Sequence, residues 1–374
     1  QSNASMADLS KVVDKGGFFM TDAKNPFDQM HSITLVDDIL NSADDFKNAQ
    51  FVLGGSLQLD AQKYDVNDLA EGLSNGKSFY TTNADFNTLV NLSDNSSIFV
   101  NLAAAPSSNT ASDHAPVVKK AFFTYGNLQQ SPIYASIGLE HIPFGQFGGG
   151  GPYTDSLIKT ALRPSAQNVA MMGFDQDGLN TYFGFYTTNT KNNFSYSMHY
   201  QGTVHGLSYG MGAGYLHDVR NIGGALGGAY ASALQDNGRN ALMEANANIG
   251  TDLISLSGEY VRARKDSIKT DGTNLSKASA YQVTLGYNPV LFGTDATSFM
   301  LGYGKTMHMN GVAMDLPMDP ASSPSSTNGL KTQYLAAVTQ EVYSNTFASF
   351  EYGSLESYND KKGSTYTLDL SMYF

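Results

Sequence analysis

"STYTLDLSMYF", residues 364–374, carries the pattern that decides the fold class of this chain. From Tyr366 to Phe374 apolar residues occupy every second position, and Thr365, Thr367, Asp369 and Ser371 lie on the other face. A period of two predicts a β-strand with one apolar and one polar face. Because chain ends are commonly frayed and polar, an aromatic residue inside a final strand predicts that this strand is paired along its edge.

The composition favours extended β-structure over membrane helices. Charged residues make up 15% of the chain, below the usual quarter, while Gly, Tyr and Phe number 37, 22 and 21. Hydrophobic residues reach 41%, yet the mean hydropathy is negative. No uninterrupted apolar run approaches the roughly 18 to 20 residues of a membrane-spanning helix. The apolar residues are therefore dispersed, and the 374 residues suffice for one large closed sheet.

Charge and cysteine content exclude further classes of protein. The net charge of −12, without a dense Lys/Arg cluster, disfavours nucleic acid as a partner. The absence of Cys excludes a disulfide scaffold and the common thiolate metal sites. The Gly run at 148–151 lacks the Lys-Ser/Thr that completes a phosphate-binding loop. We therefore predict neither a cofactor nor a resident metal.

The alternating pattern recurs along the chain. In "LSYGMGAGY" (207–215) five apolar residues lie on one face, and nothing larger than Ser or Gly lies on the other. Comparable segments give a count of about sixteen strands, each long enough to cross a bilayer as a tilted strand of roughly 9 to 11 residues.

The connections between these segments alternate in length. Tight turns are predicted at 93–97, 128–132, 175–178, 250–252 and 343–345. Long polar loops are predicted at 63–78, 106–116, 142–166, 218–238, 265–276 and 308–330, with the short connector 189–193 as the one exception on their side. This alternation predicts an all-β fold: a transmembrane antiparallel β-barrel of outer-membrane type, with short periplasmic turns and long extracellular loops. A soluble β-sandwich or solenoid is the alternative.

Three parts follow from this reading. Residues 1–4 resemble the remainder of an expression tag, and residues 5–49 form a short segment that lies in the periplasm or enters the barrel. Residues 50–374 form a single barrel domain in the bacterial outer membrane, with outer-membrane lipid as its first partner. The final strand, ending in Phe374, resembles the signal that such barrels present to their assembly machinery.

The residues on the polar face of each strand are predicted to line the lumen. If the apolar residues face lipid, the inward set is mainly acidic. Its charged members are Asp60, Lys120, Glu140, Glu244, Glu259, Lys331, Glu341, Glu351 and Asp369. Such residues either meet a passing solute or hold the barrel open by bonding to their neighbours. We predict a water-filled lumen that conducts ions or small solutes.

The longest segment without strand character, 140–165, is long enough to fold into the lumen and constrict it. Its predicted constriction residues are Pro143, Phe144, Gly145, Phe147, Gly148, Gly149, Gly150 and Gly151. It also carries Lys159 and Arg163, which we add to the predicted solute pathway.

Two stretches carry a family resemblance. "FVLGGSLQLDA" (51–61) opens the first strand and "IGLEHIPFGQF" (137–147) ends the fifth. With the sixteen-strand plan, they resemble the siderophore-porin family of outer-membrane barrels typified by the legiobactin receptor. The resemblance implies iron transport in a Gram-negative bacterium, with a ferric siderophore as the small-molecule substrate. The Pro-Phe-Gly element (143–145) is also similar to sixteen-stranded substrate-selective porins.

Other functions remain open beside siderophore uptake. A general or ion-selective diffusion porin is the first alternative, and a barrel with a surface adhesion or enzymatic role is the second. An acidic lumen opposes a polycarboxylate siderophore, which basic residues attract; these are Lys119, Lys120, Lys159, Arg163, Arg220, Arg239 and Lys331.

We predict no enzyme and no catalytic residue, because no spacing sets a nucleophile beside a base. His199, near Ser195 and Ser197, is predicted to be a lumen histidine with polar neighbours. The Met-rich loop at 307–319 fits either Cu(I), which soft thioethers bind, or adaptable packing, and we favour packing.

Overall fold

The computed structural model describes residues 34–41, 43, 49–69, 75–104, 116–188, 191–220, 222–233, 239–268, 274–291, 297–318, 325–326 and 328–374. The predicted tag remnant at 1–4 and most of the predicted segment at 5–49 lie outside the described residues.

Twenty strands follow one another along the described chain. They are β1 (Phe51–Asp65), β2 (Gly76–Ser93), β3 (Ser96–Ala104), β4 (Pro116–Tyr125), β5 (Ile133–His141), β6 (Ala166–Gln176), β7 (Leu179–Thr188), β8 (Lys191–Val204), β9 (Leu207–Leu216), β10 (Leu242–Gly250), β11 (Ile254–Ala263), β12 (Ser267–Ile268), β13 (Asn274–Leu275), β14 (Ser279–Tyr287), β15 (Thr297–Met307), β16 (Met314–Asp315), β17 (Ser325–Ser326), β18 (Leu330–Tyr343), β19 (Thr346–Ser357) and β20 (Lys362–Tyr373). The four two-residue strands form small hairpins, β12–β13 and β16–β17, inside loops.

The other sixteen strands form one closed antiparallel barrel, which confirms the predicted fold. Each strand pairs with its neighbour in the chain, and β20 closes the ring against β1, with Asp60 opposite Asp369. Phe374 extends this closing pair: its N–H donates to the Gly55 carbonyl at 3.1 Å and its carbonyl accepts from the Gly55 N–H at 2.8 Å. Closure leaves neither edge of this sixteen-stranded sheet unpaired, as a barrel in lipid requires.

The two faces of the wall differ as the alternation predicts. On β20, Leu368 is 60% exposed on the outer face, whereas Asp369 is 4% exposed on the inner face. Large apolar side chains cover the outside of most strands, and Ser, Thr, Asn, Gln and carboxylates dominate the inside. An apolar outer band around a polar interior is the surface that a lipid-embedded barrel needs.

The connections fall at two ends of the barrel, which we call the short-turn end and the long-loop end. Turns such as 94–95, 177–178 and 344–345 lie at the short-turn end, and the loops at 142–165, 217–241 and 308–329 lie at the other. The prediction of a single short connector at the long-loop end is wrong, because β19 and β20 are joined there by only 358–361. Four residues, from Tyr358 to Lys361, suffice for such a turn.

Within the described residues, three helices accompany the sheet: α1 (Leu35–Asn41) before β1, α2 (Leu157–Leu162) between β5 and β6, and α3 (Gly224–Ala233) between β9 and β10. None of the helices within the described residues is long and apolar enough to cross a membrane. Because α1 and α2 bury apolar side chains, the strands around them also carry inward apolar residues. The core of this barrel therefore lies where segments enter the lumen.

Candidate functional site

Residues 142–165, which we call the crossing loop, leave the end of β5 and fold into the lumen. The loop contacts β8 and β11 on one side of the ring and β1, β18 and β19 on the other. In a ring of sixteen strands β8 lies nearly opposite β1. The crossing loop therefore spans the full width of the lumen.

Its first anchor lies on the β8–β11 wall. The backbone N–H of Gln146 donates to Glu259 Oε1 at 2.9 Å, and its side-chain Nε2 lies 3.1 Å from His199 Nε2. Ser197 Oγ donates to the Pro143 carbonyl at 3.2 Å. His199 thus faces the lumen, as predicted, and its polar partner is Gln146.

The aromatic residues of the same stretch pack inward. Phe144 and Phe147 are buried with their ring centroids 6.0 Å apart. Phe147 adopts a left-handed φ of 53° and Gly145 a φ of 69°, so the chain reverses sharply here. This reversal turns the backbone of Gln146 toward Glu259.

The second anchor lies on β19. The Glu351 carboxylate accepts from the backbone N–H of Tyr153 at 3.0 Å and of Thr154 at 3.1 Å. A Cβ on Gly151 would lie 2.0 Å from Glu351 Oε2, so only Gly lets the carboxylate approach this closely. Gly151 is therefore required by the anchor.

Neutral amides complete the hold on the crossing loop. Gln282 Nε2 donates to the Gly149 carbonyl at 3.0 Å, Gln333 Nε2 to the Asp155 carbonyl at 3.0 Å and Gln58 Nε2 to the Pro152 carbonyl at 3.2 Å. Each amide satisfies a carbonyl that has no place in the sheet ladder. Backbone polarity inside the lumen is thus met by long neutral side chains.

The long-loop end contains an apolar cluster around α2. Leu157, Ile158, Ala161 and Leu162 are at most 1% exposed. Met309, Met314 and Met318 of the predicted Met-rich loop are buried in the same cluster. Gln62 Nε2 reaches the neighbouring Pro317 carbonyl at 2.8 Å. Residues 308–318 therefore fold inward and supply packing, the role we favoured for the methionines of this loop.

Helix α1 lies inside the barrel at the short-turn end. Its Val36, Ile39 and Leu40 are buried in the same apolar cluster as the inward residues Val52, Leu89, Phe99 and Phe122. Asn41 Nδ2 donates to Asp175 Oδ2 at 3.3 Å, which joins the exposed end of α1 to β6. We call this arrangement the α1 seat; it includes Asp37 with Tyr134 and Tyr182.

Asp37 is the buried polar centre of the α1 seat. Its side chain is 0% exposed and accepts hydrogen bonds from the hydroxyls of Tyr134 and Tyr182. Burial raises the pKa of Asp37 to about 7, the two tyrosine bonds act in the opposite direction, and the charge of Asp175 adds to the rise. Near neutral pH this carboxyl lies close to its titration point.

Most predicted lumen residues lie on the inner wall. Those at most 8% exposed are Asp60, Lys120, Glu140, Glu244, Glu259, Glu351 and Asp369. Only Glu259 and Glu351 of these anchor the crossing loop through the bonds described above. Glu140 accepts from Ser136 Oγ at 2.6 Å on its own strand, and Asp369 accepts from Gln58 Nε2 at 2.6 Å.

The remaining predicted residues are placed elsewhere. Glu341 Oε1 accepts from the Asn345 N–H at 3.0 Å and so holds a turn at the short-turn end. Lys159 pairs with Asp155 at 2.8 Å, and Arg163 ends α2.

The prediction that Lys331 faces the lumen is wrong. Lys331 lies at a register shift in β18, with its Nζ 3.3 Å from Glu356 and 2.9 Å from Asp360. Glu356 is five residues from the inward Glu351 on the same strand and therefore faces the other side. A bulge adds one residue and reverses the parity, which the sequence pattern does not reveal.

Sequence reasoning also missed the amide anchors Gln58, Gln282 and Gln333, because it ranked inward residues by charge. The alternation of the strands could have identified them, since each glutamine lies on an inward position of a strand. The inward apolar residues of the α1 seat were missed as well. These residues make the inner wall apolar, rather than polar as expected, where α1 packs against it.

A family model described as "Protein of unknown function (DUF3573)" matches residues 15–251. Among curated proteins, a UPF0422 protein of Legionella pneumophila (strain Lens) is 22% identical over 257 residues, covering 62% of this chain and 44% of that protein. A UPF0422 protein of Coxiella burnetii is 26% identical over 230 residues, covering 54% of this chain and 46% of that protein. The chain thus spans less than half the length of these relatives.

Solved structures resemble the whole barrel. A loop-deletion mutant of OmpT, an outer-membrane protein of Vibrio cholerae, has a TM-score of 0.55 at 12% identity. A mutant porin of Rhodopseudomonas blastica has a TM-score of 0.55 at 11% identity. Each match covers 87% of this chain and 100% of the other. The barrel therefore has the fold of outer-membrane porins.

Proposed function

The chain belongs to the family described as "Protein of unknown function (DUF3573)", and from this premise we propose that it is an outer-membrane channel for small polar solutes. The observation that carries the proposal is the closed ring whose inner face is polar and acidic while its outer face is apolar. Water and solutes favour the inside of such a ring and lipid favours the outside. The crossing loop sets the width of the path through it.

The charges around the lumen favour neutral or cationic solutes. Inward carboxylates outnumber inward lysines, and several basic groups expected to attract an anion are held by local acids. Lys119 lies 3.3 Å from Asp85, Lys159 lies 2.8 Å from Asp155 and Arg220 lies 2.7 Å from Asp218. A basic group whose charge is compensated this way attracts an anionic solute weakly. These pairs oppose a polycarboxylate siderophore.

Ferric siderophore uptake is the finer form of the proposal, and the resemblance of 51–61 and 137–147 to siderophore porins supports it. Because the ion pairs described above compensate the basic groups, the siderophore in this proposal is one without free carboxylates. A general diffusion porin has equal support from the barrel itself. The siderophore channel and the general porin differ in whether the solute flux saturates as the solute concentration rises.

The test is single-channel conductance of the refolded protein in planar lipid bilayers, with cation-to-anion selectivity measured in a salt gradient. A cation-preferring current supports the channel, and absence of any current overturns it. Titration with a neutral ferric hydroxamate then separates the two forms. Saturable block supports siderophore uptake, whereas flux that depends only on solute size overturns it in favour of a general porin.

A further inference from the structure

A cluster of polar groups lies on the β8–β11 wall beside the crossing loop and shares His199 and Glu259 with the first anchor of that loop. Its members are His199 on β8, Glu244, Asn246 and Asn248 on β10, and Glu259 on β11. All five side chains are at most 8% exposed. We call this cluster the Glu244 cluster.

The backbone of β9 makes room for the Glu244 cluster. The inward positions of β9 between the two flanking walls are Gly210, Gly212 and Gly214. A Cβ on Gly210 would lie 2.8 Å from Asn248 Oδ1 and 3.1 Å from His199 Nε2, and one on Gly212 would lie 2.7 Å from Asn246 Nδ2. The side chains of β8 and β10 therefore lean toward each other over β9 and converge on one small region.

Two buried atoms in this region lack partners. Asn246 Oδ1 and Asn248 Nδ2 have no hydrogen-bond partner among the described residues. Asn246 Nδ2 is already used, since it donates to Glu244 Oε1 at 2.5 Å. A buried polar atom without a partner is costly, so one acceptor and one donor here are open to a bound molecule.

Two carboxyl groups face the same region. Glu244 interacts directly with Glu259, whose Oε1 also accepts from the Gln146 N–H at 2.9 Å. Two carboxyl groups in contact need a shared proton or a cation between them, because like charges repel. The described residues hold no group of three or more His, Cys, Asp or Glu side chains suited to a metal ion. An organic cation fits the site better than a metal does.

We propose that the Glu244 cluster binds the ammonium or guanidinium group of a solute in the lumen, with a neighbouring carbonyl or hydroxyl oxygen of that solute accepting from Asn248 Nδ2. Glu244, Glu259 and Asn246 Oδ1 accept from the cationic group. The proposal rests on the channel function and adds a substrate class, small organic cations such as basic amino-acid derivatives.

The test uses two probes of the same shape. N-acetyl-argininamide carries a guanidinium and two carbonyl groups, and N-acetyl-citrullinamide replaces the guanidinium by a neutral urea. Each is titrated into wild-type single channels at low ionic strength, where screening is weak. We expect the guanidinium probe to block the current at a concentration at least about tenfold lower than the urea probe does, because a hydrogen-bonded charge pair contributes that factor.

Two variants locate the site. Glu244→Gln removes the charge but keeps the shape, and we expect it to weaken block by the guanidinium probe about tenfold. Asn246→Ala removes the open acceptor and is expected to weaken block less. Glu356→Gln makes the same chemical change at the rim and serves as the matched control, with block unchanged. Unaltered migration of the unheated protein on a gel verifies that each barrel is folded.

The outcomes separate the two proposals. Equal block of wild type, Glu244→Gln and Glu356→Gln overturns the site while leaving the channel intact. If wild type carries no current, the channel proposal fails and calorimetric titration of the guanidinium probe into the detergent-solubilised protein decides the site. Binding that Glu244→Gln weakens supports the site, and absence of binding overturns it.

Discussion

Two segments enter this barrel from opposite ends, and they are held in different ways. The crossing loop is held by hydrogen bonds from the wall to its backbone, at Glu259, Glu351 and several amides. Helix α1 pairs part of its backbone within itself and is held by apolar side chains around one buried carboxyl. A segment without regular structure needs polar partners along its length, whereas a helix needs an apolar face and few polar contacts. The hydrogen-bonded attachment of the crossing loop and the apolar attachment of α1 therefore respond to different perturbations.

The largest effect is expected from a charge placed in the α1 seat. Ile39→Asp introduces a carboxylate among buried apolar residues, at a cost of several kcal/mol. We expect α1 to leave its seat and the channel conductance to rise. Hydrogen exchange of the amides of 35–41 measures the release directly.

Asn41→Ala is the matched control on the same helix, because it removes only the bond to Asp175 at the exposed end. Its expected cost is about 1 kcal/mol or less, with α1 still protected. Exchange that stays slow in Ile39→Asp contradicts the apolar hold.

A somewhat smaller effect is expected from the polar hold on the crossing loop. Glu351→Leu leaves the N–H groups of Tyr153 and Thr154 without their acceptor, at about 1 to 3 kcal/mol for each. We expect faster exchange of the amides of 150–156 and larger current fluctuations, while α1 stays protected.

Glu351→Gln keeps one acceptor oxygen and is expected to give an intermediate result, and Glu341→Gln changes a carboxylate that holds only a turn. If Glu351→Leu leaves both exchange and current as in wild type, this anchor does not hold the loop.

The smallest expected effect is a change in the stability of the seated α1 with pH, which distinguishes its attachment from that of the crossing loop. The pKa of Asp37 is raised from 3.8 to about 7 in the α1 seat, so the seated helix keeps a proton that a released helix loses. The favourable contribution of the neutral form is full at low pH and is lost as pH rises through about 7. The weakening amounts to about 1.4 kcal/mol for each pH unit between the ordinary carboxyl pKa of 3.8 and about 7, and it stops above about 7, where both forms have lost the proton.

Titrating α1 protection by hydrogen exchange between about pH 4 and 8, corrected for intrinsic exchange rates, measures this dependence and its end above about pH 7. The other ionisable groups facing Asp37 are Tyr134, Tyr182 and Asp175. Asp37→Asn is expected to abolish the pH dependence, and an unchanged titration in that variant refutes the assignment to Asp37.

The sequence predicts the barrel because a period of two is a property of each strand alone. β20 shows this, since every residue from Thr365 to Ser371 lies on its predicted face. Lys331 shows the limit: a bulge depends on how two strands pair, and pairing is absent from the pattern of one strand.

The interior is harder to predict for a related reason. Leu89 and Phe99 lie on inward strand positions, where α1 covers their apolar side chains, and a sequence pattern cannot state which segment covers a face. The charged residues of the crossing-loop anchors were predicted as lumen groups, but their partners are backbone N–H groups that carry no residue-specific signal. Gln58, Gln282 and Gln333 were passed over because a neutral amide on an inward strand position is common.

The crossing loop also has a mechanical consequence. A ring of sixteen strands can flatten into an ellipse with little change in its ladder of hydrogen bonds. The loop ties β8 and β11 to β1 and β19, so flattening along or across that diameter strains its anchors. Lateral pressure from the bilayer acts on this diameter. The segment that narrows the path for solutes is thus also a strut that keeps the cross-section of the barrel round.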